Sequence, residues 1–262
     1  MPTKKALSVP VLMYHHVSEH KGALVTMTPE NFESHAKFLA ESGYKTLSLD
    51  EFLAFKKGEL ELPKKSVLIT FDDGWIDNYL VAYPILKKYS RKAAIFVITD
   101  WVERASEDKR ASDDIYIPNH REGKKLAYEE PASAIINWDD LANMGDVFDF
   151  ASHSNAHDNE SLGFDEWRDD LALSKSHIKA HGGNTKHLCW PRGNYTSELI
   201  DLARSLGFEA LYTTKRGVNL ADGDTSEIKR ISTKDKDAKW LKGALRLYSS
   251  PILGGLYARF KR

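Results

Sequence analysis

Val67-Leu68-Ile69-Thr70-Phe71-Asp72-Asp73-Gly74 joins an apolar run to two adjacent carboxylates and a glycine. The run predicts a buried strand, with the aspartates where it stops and Gly74 letting the backbone turn away. Two neighbouring carboxylates repel each other. A divalent cation relieves that repulsion when one of them binds it, and leaves the other free to take a proton from a water that the ion activates. Further along, Phe148, Phe150 and Ala151 predict a short strand directly before His153-Ser154-Asn155-Ala156-His157. Imidazole is a common zinc ligand, and histidines four apart approach one ion when the backbone turns helically between them. Either motif alone would serve as a helix cap or a polar loop. Together, at two strand ends of a parallel β/α architecture, they supply one free carboxylate and three metal ligands, the inventory of a zinc hydrolase.

The chain around these motifs alternates strand and helix signals, as an α/β barrel or sheet requires. Pro10–Met13 predicts a first strand. Thr28-Pro29-Glu30 predicts a capped helix with Phe32, Ala36, Leu39 and Ala40 as its apolar stripe and Gly43 as its end. Helices are expected over Leu49–Lys57, Asn78–Tyr89, Trp167–Ala180 and Glu198–Leu206, and a strand over Ala93–Thr99.

The TFDDG and HSxxH elements, in this order, resemble those of the NodB-homology polysaccharide deacetylases, carbohydrate esterase family 4. The resemblance covers most of the chain. It implies a single-domain distorted (β/α) barrel, Asp72 as general base, Asp73, His153 and His157 as metal ligands, and removal of acetyl groups from N-acetylated sugars. The family's third element, an arginine followed by a spaced proline and glycine, aligns with Cys189-Trp190-Pro191-Arg192-Gly193, where cysteine replaces the arginine. That arginine normally orients the base, so Asp72 would lack a cationic partner. The subgroup acting on poly-N-acetylglucosamine resembles this chain more closely, having a WPxG element without the arginine and an early YH element. The latter matches Val11-Leu12-Met13-Tyr14-His15-His16-Val17. In that subgroup the early histidine is the general acid, which makes His15 the matching residue.

Amide hydrolysis expels an amine that must be protonated, and a histidine with a pKa near neutrality suits that task. His16 competes with His15, but strand residues alternate faces, so one of the two should point inward. Arg230, in Ile228-Lys229-Arg230-Ile231, lies on a last strand and could supply the missing guanidinium, or could be a solvated strand-end residue. Trp190 is expected to line the acetyl or sugar pocket, and a backbone N–H of the Trp190–Gly193 turn, Arg192 and Gly193 included, to help bind the oxyanion.

At 262 residues, with 42% hydrophobic and 29% charged residues, the chain suits one sizeable core. A formal net charge of −1 gives no electrostatic case for nucleic acid. The single cysteine forbids an internal disulfide and fits a reducing compartment. The first strand follows Met1–Ala6 almost at once, so a cytoplasmic protein is expected, exported only if a signal segment was trimmed away.

Residues 101–137 read as a charged insertion without periodicity, whose Tyr116, His120, Arg121 and Tyr128 could shape a sugar cleft. His177 and His181 repeat the four-residue spacing but read as a solvated helix surface without an acidic partner. Residues 1–237 form the expected catalytic domain. Residues 238–262 carry Lys239, Lys242, Arg246, Arg259, Lys261 and Arg262 and no acidic residue, a formal +6 interleaved with apolar side chains. That segment, broken by Pro251, Gly254 and Gly255, is expected either to pack on the barrel or to lie peripherally on an anionic inner membrane face. The expected enzyme is a metal-dependent N-deacetylase, using zinc, with cobalt or nickel as alternatives, on an N-acetylated glycan or glycolipid. An O-acetyl esterase and a catalytically inactive glycan-binding protein are the rival readings.

Overall fold

The structure, a computed structural model, describes residues 5–20, 23–108, 116–157 and 162–260. Among the described residues there are ten strands and ten α-helices, mixed along the chain. The strands are β1 (Val11–Tyr14), β2 (His16–Val17), β3 (Thr26–Met27), β4 (Lys45–Thr46), β5 (Ser66–Asp73), β6 (Ala93–Val97), β7 (Phe148–Ser152), β8 (His187–Cys189), β9 (Ala210–Tyr212) and β10 (Ile231–Ser232). The helices are α1 (Pro29–Glu41), α2 (Leu49–Lys56), α3 (Tyr83–Lys88), α4 (Thr99–Glu107), α5 (His120–Glu129), α6 (Trp138–Asn143), α7 (Phe164–Ala180), α8 (Ser197–Ser205), α9 (Ala238–Tyr248) and α10 (Pro251–Phe260).

The main sheet runs β10-β1-β5-β6-β7-β8-β9, all parallel, with β4 added to β5. Ile228 bridges to Tyr212 of β9 while Ile231 pairs with Leu12 of β1, so one short segment borders both ends of the curled sheet. Arg230 sits inside that segment. Every residue of β5 is buried, as a central strand covered on both faces demands. Val67, Ile69 and Phe71 pack outward against Phe32, Ala36 and Leu39 of α1. Leu68 faces the interior with Val11, Phe96, Ala151, Cys189 and Tyr212. Period-two alternation carries the inner column on to Thr70 and Asp72, where the core turns polar at its carboxyl end.

Local chemistry departs from the sequence expectations in several places. Thr28 stands at the N-cap of α1, yet its hydroxyl donates to Asp235 at 2.8 Å and makes no cap bond. The expected helix after the TFDDG strand opens as a π-helical turn over Asn78–Ala82 before α3. The expected strand over Ala93–Thr99 stops at Val97, and Thr99 starts α4. The aperiodic insertion is in fact largely helical. Trp101, Val102 and Ala105 give α4 a buried face, and Asn119 caps α5 by accepting from the amides of Arg121 and Glu122.

His177 and His181 also differ from expectation. Glu103 of α4 pairs with His177 Nδ1 at 2.5 Å and lies 3.7 Å from His181, whose ring stacks on Trp138. At the C-terminal end, α9 buries Leu241, Leu245 and Tyr248 in the main core. Gly254 and Gly255 do not break the chain but lie within α10, where Gly254 passes so close to Val218 that a Cβ would sit 2.5 Å from its methyl. The break falls at Ser249–Ser250. Ile252, Leu253 and Leu256 of α10 are exposed, and no described helix is long and apolar enough to cross a membrane. The side chains of Arg259 and Phe260, and residues Lys261 and Arg262, lie outside the described residues.

Candidate active site

Because the sheet is parallel, the ends of β1, β5, β7 and β8 share one edge, and His15, Asp72, Asp73, His153 and Trp190 stand along it. Asp72 is buried and both its oxygens accept from Arg230, Nη1 to Oδ1 and Nη2 to Oδ2, each at 2.7 Å. Arg230 is fully buried, with Nε donating to the Thr213 carbonyl at 2.9 Å and Nη2 lying 3.0 Å from Cys189 Sγ. The guanidinium therefore meets the Asp72 carboxylate in fork-to-fork geometry from the segment that leads into β10, with the small Cys189 side chain leaving room for it. Burial on its own would raise the Asp72 pKa. The charge and hydrogen bonds of Arg230 outweigh it and hold the carboxyl below its usual value. Burial pushes the Cys189 thiol up, which keeps it protonated.

Asp73 occupies the left-handed region at φ 78°, followed by Gly74 at φ 95°. This turn swings its carboxylate away from the interior column that holds Asp72. Trp75 Nε1 donates to Asp73 Oδ2 at 2.9 Å. Asp73 Oδ1 lies 3.4 Å from His153 Nε2 and 3.8 Å from His157 Nε2. The backbone between the histidines is not helical, since Ser154 and His157 both have positive φ, 65° and 56°. Asp170 of α7 organises that loop by accepting from the amides of Asn155 at 2.9 Å and Ala156 at 2.8 Å. His157 N also donates to Ser154 Oγ.

The chemistry of this donor set fits a divalent ion. His153 Nδ1 donates to the Cys189 carbonyl at 2.8 Å, which leaves the Nε2 lone pair facing Asp73. Tetrahedral zinc with bonds of about 2.0–2.1 Å places its donors about 3.4 Å apart, close to the spacing here. Asp72, His153 and Cys189 also lie within reach of one another. That second set does not suit a metal, because Arg230 occupies both Asp72 oxygens and contacts the thiol.

His15 Nε2 lies 3.9 Å from Asp72 Oδ2. Burial lowers its pKa from 6.5 despite the opposing charges of Asp72 and Asp73. These groups form the floor of a cavity of about 320 Å³, walled by Trp101, His120, Lys124, Tyr128, Trp190 and Arg192. His120 and Tyr128 of the sequence-predicted cleft residues reach it; Tyr116 instead bonds Glu122, and Arg121 lies off the wall. Trp101 and Trp190 both bury an indole N–H that has no hydrogen-bond partner among the described residues.

Two amides of the WPxG turn are bonded within the fold. The Trp190 amide donates to Tyr212 O and the Gly193 amide to Trp190 O, so neither is available to an oxyanion. Gly193, at φ 72°, serves the backbone, since a Cβ there would fall 2.2 Å from Thr214 Oγ1. Trp101, Lys124, Thr214 and Asp170 were not signalled by any motif. Trp75 could have been suspected from its place directly after Asp73-Gly74.

The chain matches the family profile for polysaccharide deacetylase over residues 59–211, more than half its length. YxkH of Bacillus subtilis is 29% identical over 231 residues, covering 87% of this chain and 72% of that protein. The poly-beta-1,6-N-acetyl-D-glucosamine N-deacetylase of Staphylococcus epidermidis is 28% identical over 219 residues, 79% of this chain and 67% of that one. Among solved structures, the Streptococcus pyogenes deacetylase PplD in complex with acetate superposes with a TM-score of 0.75 at 26% identity, covering 92% of this chain and 99% of that one. With the profile spanning the strands that carry Asp72, Asp73, His153 and Trp190, this chain belongs to the polysaccharide deacetylase family.

Proposed function

We propose that the protein hydrolyses N-acetyl groups from N-acetylated amino sugars of a polysaccharide or lipid-linked glycan. The observation that carries this reading is one cavity floor bearing an ionised Asp72, the Asp73/His153/His157 donor set and His15 at 3.9 Å from Asp72. A divalent ion held by Asp73, His153 and His157, zinc first with cobalt and nickel as alternatives, would polarise the acetyl carbonyl and lower the pKa of water. Asp72 accepts a proton from the attacking water. Arg230 depresses the proton affinity of Asp72, so Asp72 holds that proton only briefly. His15, 3.9 Å from Asp72, carries a proton to the departing amine. Trp101 and Trp190 wall the cavity beside these groups. Beyond Gly193 an open groove of about 610 Å³, bordered by Trp167 and Tyr195, gives a longer glycan room to lie.

Acetate release from N-acetylglucosamine oligomers should require metal and should vanish in Asp72→Asn and in chelated protein. Release that survives both treatments would overturn the reading. The exposed Ile252, Leu253 and Leu256 beside the basic α9 suit the headgroup region of an anionic membrane. Co-sedimentation of the intact protein with anionic but not neutral vesicles at low salt checks this contact, and its absence removes it.

A further inference from the structure

Beside the hydrolytic groups, three buried or half-buried residues form a chain that the mechanism above does not use. His16 Nδ1 lies 2.6 Å from Asp77 Oδ2, and His16 Nε2 lies 3.1 Å from His120 Nδ1. Asp77 and His16 are almost wholly buried, while His120 lines the catalytic cavity. Asp77 Oδ1 accepts from the Val17 amide at 3.0 Å and from Asn78 Nδ2 at 2.7 Å. Oδ1 thus accepts twice, which leaves Oδ2 as the atom that faces His16.

The polarity of the chain follows. A carboxylate cannot donate, so His16 Nδ1 carries the hydrogen, and with that single ring hydrogen His16 keeps its lone pair at Nε2. His120 Nδ1 must then donate to it, which leaves a lone pair on His120 Nε2, a nitrogen with no protein partner among the described residues. Burial and the neighbouring His16 and Lys124 push His120 down to about 4, so its ring is neutral.

The surroundings hold this order in place. Trp75 stacks on His16 with centroids 4.4 Å apart and meets His120 edge-on at 6.0 Å, and its own indole is fixed by Asp73. Helix α5 approaches Trp75 through Gly123, where a Cβ would already lie 3.1 Å from the ring.

We infer that His120 is a substrate-binding residue whose Nε2 accepts a hydrogen bond from a hydroxyl of the sugar that carries the acetamide, with Asp77 and His16 as positioning residues that set its tautomer. The inference rests on the deacetylase reading. It assigns a site for the hydroxylated ring, as distinct from the acetyl group.

The test compares kinetics of the zinc-loaded full chain on an N-acetylglucosamine oligomer and on 4-nitrophenyl acetate, which has no sugar hydroxyl. His120→Ala should raise KM for the oligomer about 3- to 10-fold, with a smaller effect on kcat and a smaller loss on the aryl ester. Asp77→Asn is the sharper variant. Its Oδ1 can keep the bonds from Val17 and Asn78 while its amide donates to His16, which reverses the chain and turns His120 Nε2 into a donor. It should raise the oligomer KM by a similar factor. Among monodeoxy analogues, the one lacking the contacted hydroxyl should bring wild type and His120→Ala together. Equal losses on oligomer and ester, or an Asp77→Asn enzyme with wild-type KM, would overturn the assignment. Wild-type protein that releases no acetate from the oligomer would overturn the deacetylase reading as well.

Discussion

Replacing Arg230 by methionine removes the guanidinium that forks onto Asp72 and leaves a buried carboxylate without its strongest partner. Methionine fills part of the space without donating. Breaking a buried ion pair from one side costs about 3–5 kcal/mol, which for a chain of this size lowers Tm by about 6–20 °C. The loss should depend on pH. In the wild type the Asp72 pKa lies below its unfolded value, so the pair contributes stability above about pH 4, lost as pH falls through the folded pKa. In Arg230→Met, burial, the largest influence on Asp72, is opposed only by the weaker charges of His153 and His15 and raises the Asp72 pKa above the unfolded value. Destabilisation is then full at high pH and relieved as pH falls through the raised pKa. Urea unfolding followed by tryptophan fluorescence at pH 8 and pH 5 reads both effects. Adding Asp72→Asn to Arg230→Met should recover part of the loss, and acetate release by Arg230→Met should fall about 10- to 100-fold. An Arg230→Met protein within about 0.5 kcal/mol of wild type, or a loss equal at both pH values, would refute the reasoning.

Other expectations follow from single contacts. Asp170→Ala frees the amides of Asn155 and Ala156 and should weaken zinc binding about 10- to 100-fold in a competitive chelator titration, whereas a change under about two-fold would separate the loop from the metal site. His187 is fully buried, its Nε2 makes no hydrogen bond among the described residues and lies 4.0 Å from Asp50 Oδ1, and burial pushes its pKa down to about 3. As pH falls below 6.5 the unfolded chain binds a proton that the folded chain refuses, so stability should drop by about 3–5 kcal/mol by pH 3. His187→Leu should flatten that slope in urea titrations. His35, pushed to about 4 by burial, would retain a share of it, and an unchanged slope would contradict the assignment.

What the sequence made legible is what local pattern encodes. An apolar run ending in two carboxylates and a glycine specifies a buried strand and a turn, and parallel alternation then puts every strand end on one edge. Alternation also separates His15, on the inner face with Val11, from His16, on the outer face with Leu12 and Tyr14. Long-range partners were not legible. Arg230 could be proposed from charge and position, but its fork on Asp72 depends on how the sheet curls. Asp170 looks like any acid on a polar helix until the fold brings it under the histidine loop. The spacing of His153 and His157 suggested a helical turn, whereas the loop reaches the same convergence through two left-handed residues, which spacing does not encode. Helices α4 and α5 were hidden because a polar stretch between them diluted the period of each. Glu103 escaped notice as a partner of His177 and His181 because it comes from another helix.

The central claim is tested most directly by counting products. Zinc-loaded protein incubated with an N-acetylglucosamine oligomer should release acetate and new primary amine in equal amounts, and Asp72→Asn should release neither. Acetate without amine from an O-acetylated glycan would identify an esterase instead, and no acetate from any acetylated glycan, despite one bound metal per chain, would contradict the account.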